Sequence, residues 1–265
     1  MSVAWITSFS EDLYQATGKS LVESYEKSQS CGKLFVAGER LVDFRNKKPE
    51  SVVLLPDPAD SADLQFFVSS NRDIIHKEFG GDWTGPCKCP KPDDPKDKRH
   101  KPGCPGSWFC KHAIRWFRKF LALRSFMQAS YLGYTHAIWL DSDVLFKKRV
   151  SETDVNAWFN RHDVFFLKGP KRKIWETGIV GFSANRGLTL VQNAYDRLQD
   201  GSFRKFPRWD DSYTLQNTAE AMPKLKAIDL ATNASGHADV VPHSPLHPFL
   251  THNKGTHGRG LGIMK

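Results

Sequence analysis

The sequence predicts an α/β protein with a mixed, mostly parallel sheet flanked by helices, organised as one domain over residues 1–265. Three observations carry this expectation. Short runs of β-branched and apolar residues alternate with segments of helical period. One such run, residues 136–140, ends in two aspartates, as a strand does when it reaches the ligand-binding edge of such a sheet. With 40% hydrophobic and 12% aromatic residues the chain can bury a substantial core, and no linker-like stretch divides it.

Residues 2–9 have the alternation of a first strand, and residues 13–27 follow with helical spacing that aligns Leu13, Leu21, Val22 and Tyr25. Residues 34–36 and 64–69 are expected as further strands, joined by the polar stretch 45–50 and a Pro-Asp segment at 56–63. Between about 80 and 108, glycines, prolines and lysines crowd out any periodicity, which predicts a long surface insert. Cys87, Cys89 and Cys104 lie in the insert and Cys110 just past its end. These could bind zinc or remain unliganded thiols, since no C-x-x-C pair is present. Residues 112–131 show the clearest helical face, built on Ile114, Phe117, Phe120, Leu121 and Phe126. Beyond the aspartates come a short helix at 155–159, a strand at 164–167, a glycine-containing strand within 175–182, a helix at 188–198 and a helix at 213–220 capped by Asp211.

Asp141 and Asp143 stand two apart at a strand end, a spacing that sends both carboxylates to one face. Paired hard oxygen ligands suit Mg²⁺ or Mn²⁺, and the apolar residues before Asp141 argue against two merely solvated aspartates. Arg115 and Lys119, four apart on the long helix, share a face that could meet an anion such as a diphosphate. The alternative is a solvated basic stripe with Arg118. His237, His243, His247, His252 and His257 offer imidazoles that could complete a carboxylate-bound metal site. The formal charge of +9 and pI near 9.3 favour an anionic partner of some kind.

Together these pieces resemble a GT-A glycosyltransferase, and the tail His252-Asn253-Lys254-Gly255 is similar to the ending of the glycogenin-like and lipopolysaccharide galactosyltransferase families. Four landmarks appear in the family's order: Asp141-Ser142-Asp143, the glycine-containing loop from Glu176 to Gly181, the acidic pair Asp210-Asp211, and the late His252. The tail lacks the family's following Lys-Pro-Trp, so His257 stays a second candidate for the metal. The resemblance implies that Asp143 and His252 ligate Mn²⁺ or Mg²⁺ and that Asp141 contacts the metal or the donor ribose. It implies that Arg115, Lys119, Ser142 and Lys254 contact a nucleotide-diphosphate sugar. By position alone, Thr7, Ser8 and Phe9 fall where the family holds base and ribose. Asp210 or Asp211 would act on the acceptor hydroxyl of a glycan, lipid or protein, with Glu176 as the next carboxylate. Trp108, Trp175 and Trp209 could stack on sugar rings, although large aromatics more often serve the core.

A haloacid-dehalogenase-type phosphatase also places Asp-x-Asp after an apolar strand, but near the start of its domain and before a Gly-Thr or Thr-Leu turn, whereas Val144-Leu145 follows here. A zinc-containing nucleic-acid-binding protein would suit the charge and the cysteines. Aromatic residues at core-like spacing and the lack of a nucleic-acid motif disfavour it. No apolar run is long enough to cross a bilayer, and residues 1–10 lack a signal-like pattern, so a cytoplasmic protein is expected.

Overall fold

The computed structural model describes residues 2–39, 41–84, 89, 104–107, 110, 112–129, 133–234 and 240–253. Strand β1 (Val3–Ser10) lies inside a seven-stranded sheet and pairs in parallel with β2 (Lys33–Glu39) and β4 (His136–Leu140). On one side, β2 continues in parallel to β3 (Val52–Leu54). On the other, β7 (Glu176–Ser183) runs antiparallel to both β4 and β6 (Val164–Leu167), and β6 pairs in parallel with β8 (Ala227–Asp229). The sheet is therefore mixed and mostly parallel, with β7 alone among its strands running against the rest.

Because successive side chains alternate, each inner strand feeds two apolar layers. Ala4 and Ile6 of β1 join the layer beneath α3 (Ala62–Ser70), α4 (Ala113–Ala129) and α6 (Arg186–Gln199), while Val3 and Trp5 face α1 (Lys19–Ser28) and α5 (Glu152–Phe159). Within the first layer Phe117 of α4 is wholly buried and stacks on Phe67 at 4.2 Å between ring centroids, with Tyr195 at 5.7 Å on α6. Burial of one such ring is worth about 1.5–3 kcal/mol, so this stack fixes α4 against the sheet and sets the position of every polar residue α4 carries.

The expected elements differ from the observed ones where local capping outweighs apolar content. Residues 64–69 are helical rather than extended. The Ser61 hydroxyl accepts from Asp63 N and caps α3, and Leu64 and Phe67, three apart, are its buried positions. The polar stretch at 45–50 overlaps a second helix, α2 (Val42–Lys47). Strands β3 and β8, three residues each, are too short to show a period. Most of the insert, including Cys87, lies outside the described residues. Among the described residues no helix is long and apolar enough to cross a membrane.

Candidate active site

Strand β4 is buried up to Leu140, and the chain then turns tightly. Asp141 N donates to Gly178 O of β7 (2.8 Å), and Val144 N donates back to Asp141 O (3.1 Å). The turn carries Asp143 and leads into β5 (Val144–Phe146), which pairs antiparallel with β9 (Leu250–His252) so that Val144 faces His252. Asn253 N donates to Asp143 O (3.1 Å), locking this register. A short strand pair thus delivers the histidine to the aspartates. One ligand atom from each of Asp141, Asp143 and His252 lies within 4.8 Å of the others, with His252 Nε2 at 3.0 Å from Asp143 Oδ1 and 4.0 Å from Asp141 Oδ2. His252 is 4% exposed, and its ring lies over Gly178, where a Cβ would come within 2.2 Å of Cε1. Two carboxylates and an imidazole cradled by a glycine fit a divalent cation such as Mn²⁺ or Mg²⁺.

Directly behind the aspartates sits a buried polar knot. Lys119 of α4, 5% exposed, donates to Thr177 O (2.6 Å) and to Asp211 Oδ2, and its ammonium is 3.5 Å from Asp141 Oδ1. Thr177 Oγ1 donates to Asp211 Oδ2 (2.6 Å) and lies 2.8 Å from Ser212 Oγ. Trp139 Nε1 donates to Asp141 Oδ1 (2.7 Å), fixing that carboxylate from the strand side. Burial works against a charge on Lys119, but the Asp211 and Asp141 carboxylates outweigh it and hold the ammonium charged beyond the usual lysine range. Desolvation pushes the Asp141 carboxyl above the ordinary carboxylate range, against the pull of Lys119 and His252.

The helix cap falls on the other member of the acidic pair from the one expected. Asp210, not Asp211, caps α7 (Asp211–Glu220): its Oδ1 accepts from Tyr213 N (2.9 Å) and its Oδ2 from Arg208 Nε (2.7 Å). The N-cap residue is extended, and that geometry turns the next side chain, Asp211, toward Lys119. Burial raises the Asp210 carboxyl above its usual range despite Arg208. Glu176 is buried, accepting from Arg172 (2.8 Å) and Gly178 N (3.2 Å). Ser142 Oγ accepts from Thr17 Oγ1 (2.9 Å), tying the aspartate turn to the segment Tyr14–Gly18.

Other candidates stand apart from this cluster. Arg115 is exposed, its guanidinium 5.7 Å from the centre of the Phe79 ring, and no described contact joins it to the carboxylates. Thr7 is wholly buried in β1, and Phe9 packs on Tyr14 and Phe44. Ser8, between them, is half-buried. Trp175 stacks on Phe166 at 4.1 Å and Trp209 meets Phe203 edge-on. Of the two readings the sequence allows for them, both are buried core residues rather than sugar platforms. Lys254, His257 and Trp108 lie outside the described residues. Cys89, Cys104 and Cys110 are buried, yet the aspartate–histidine group is the one cluster of three or more potential metal ligands among the described residues.

The sequence alone does not single out Trp139 or the Thr177 hydroxyl. Period two from Asp141 points to Trp139 on the same face, whereas the role of Thr177 depends on α7, which no local pattern brings to β7.

Compared with solved structures, the chain is similar to mouse xyloside xylosyltransferase 1 in its apo form, with a TM-score of 0.52 and 11% identity over 97% of this chain and 99% of that one. The fold is GT-A-like. No family model and no curated protein matches the sequence.

Proposed function

We propose that this chain is a divalent-metal-dependent glycosyltransferase that moves a sugar from a nucleotide-diphosphate donor to an acceptor hydroxyl on a glycan, lipid or protein. The observation that carries the proposal is the convergence of Asp141, Asp143 and His252 at the carboxyl edge of β4 in a GT-A-like sheet. These three side chains would hold Mn²⁺ or Mg²⁺, whose charge would stabilise the departing diphosphate. Trp139 and Lys119 keep Asp141 aimed at that position. Lys119 is itself consumed by Asp211, Asp141 and Thr177 O, so its role is to fix carboxylates rather than to reach the diphosphate as a free cation. Both described contacts to Asp211 fall on Oδ2, leaving Oδ1 to receive or orient the acceptor's hydroxyl proton.

The test is Asp143→Asn. It is expected to abolish Mn²⁺-dependent hydrolysis of a nucleotide sugar while circular dichroism and the melting temperature stay near wild type. Undiminished hydrolysis in that variant would refute the metal role. A thermal-shift screen of UDP-, GDP-, CDP- and dTDP-sugars, with and without manganese, identifies the donor, because a ligand that binds only the folded state raises its stability.

A further inference from the structure

Beside the Asp211 knot the structure holds a cationic loop that the proposed transfer chemistry does not use. Between β6 and β7 the chain runs Lys168-Gly169-Pro170-Lys171-Arg172-Lys173, four cations without a carboxylate among them. The loop is pinned at both ends. The Asp229 carboxylate accepts from the amides of Lys168 and Gly169, each at 2.9 Å. Gly169 takes a φ of +72°, and a Cβ there would come within 2.8 Å of Ala234, so only glycine suits this turn. At the far end Gln216 accepts from Trp175 N (3.1 Å) and donates to Lys173 O (3.2 Å), while Trp175 stacks on Phe166. Arg172 is tied to Glu176, Lys168 is half-buried, and Lys171 and Lys173 are exposed.

The loop's position follows from the topology. Glu176 immediately precedes Thr177, which bonds Lys119 and Asp211, and Gln216 lies on α7 a little beyond Asp211. The lysines therefore stand at the same edge of the sheet as the candidate metal ligands, on the Asp211 side of them.

We infer that this loop recognises the acceptor, and that the acceptor is a saccharide carrying anionic groups, sulfate or carboxylate. The inference rests on the glycosyltransferase proposal. Like charges held close on a pinned backbone repel one another, and an anion between them relieves that repulsion. A segment already ordered loses little freedom on binding, which lets a modest electrostatic attraction appear as affinity. A neutral acceptor would draw nothing from it.

The experiment is fluorescence anisotropy with labelled hexasaccharides of heparin (sulfate and carboxylate), hyaluronan (carboxylate alone) and maltose units (neutral). The full chain is compared with Lys171→Glu/Lys173→Glu and with the charge-matched Lys27→Glu/Lys33→Glu, whose exposed lysines lie at the opposite, amino edge of the sheet. Wild type is expected to bind an anionic oligosaccharide in preference to the neutral one. The loop variant should bind about tenfold more weakly at low salt, with the gap closing as salt rises, and the control pair should change less than about twofold. Binding to heparin alone would assign sulfate, and binding to both would assign carboxylate as sufficient. Equal weakening by the two variants, or equal binding of the neutral oligosaccharide, overturns the inference. Hydrolysis of the nucleotide sugar by wild type, which needs no acceptor, tests the transferase proposal separately.

Discussion

A methyl group at position 178 tests the cradle beneath His252. In Gly178→Ala the new Cβ would lie 2.2 Å from Cε1 and 2.9 Å from both ring nitrogens, whereas ordinary contact begins near 3.4 Å. The imidazole must give by more than an ångström, yet it is 4% exposed and held on β9 opposite Val144. Overpacking of this kind costs about 1–3 kcal/mol. For a chain of this size that lowers the melting temperature by roughly 2–12 °C. A displaced ligand ring should also weaken Mn²⁺ binding by about 10- to 100-fold, the range seen when the support of a metal-ligating histidine is disturbed. Thermal melts with and without manganese, together with an electron paramagnetic resonance titration of free Mn²⁺, measure both effects. Gly133→Ala, where a Cβ meets nothing within 4 Å, is the control. Wild-type manganese affinity and an unchanged melt in Gly178→Ala would show that the His252 ring does not sit where the site requires it.

Three further outcomes are expected. Lys119→Met strands Asp211 and Asp141 without their shared cation and should cost about 3–5 kcal/mol in urea unfolding. The double variant Lys119→Met/Asp211→Leu should recover much of it, and a single-variant loss below about 1 kcal/mol would contradict the buried pairing. Asp210→Ala removes the cap of α7 and should cost about 1 kcal/mol, whereas Asp210→Asn, which still accepts from Tyr213 N, should cost little. Equal losses would rule capping out. Burial, reinforced by the Glu152 carboxylate, pushes the Cys31 thiol up to about 11, so its alkylation rate, followed by peptide mass spectrometry, should keep climbing past pH 10. The folded thiol thus holds its proton where the unfolded one has lost it. The associated stability is full below pH 9 and declines as the pH rises toward 11. A rate that levels off near pH 9 would contradict the burial.

The centre of the fold was legible because its signals are local. The strand His136–Leu140 announces itself by an apolar run that ends in carboxylates, and α4 by its repeating phenylalanines. Asp141, Asp143 and His252 could be named from residue type and order, but not their meeting. That meeting depends on β5 and β9, three residues each and joined across a long stretch of chain, for which no periodicity exists to read. The same limit explains the helix at 62–70, where one serine hydroxyl decides between two structures that the apolar residues allow equally. It explains the cap at Asp210 rather than Asp211 as well: adjacent identical residues differ only in which one is extended at the cap. Lys119 shows the limit for charge, since helical spacing groups it with Arg115 while burial gives it to Asp211.

The most direct test of the central claim is anomalous diffraction from crystals grown with Mn²⁺ and a nucleoside diphosphate. The account predicts one manganese peak bounded by the Asp141 and Asp143 carboxylates and His252 Nε2. A manganese peak on other residues, with those three side chains bare, would contradict it.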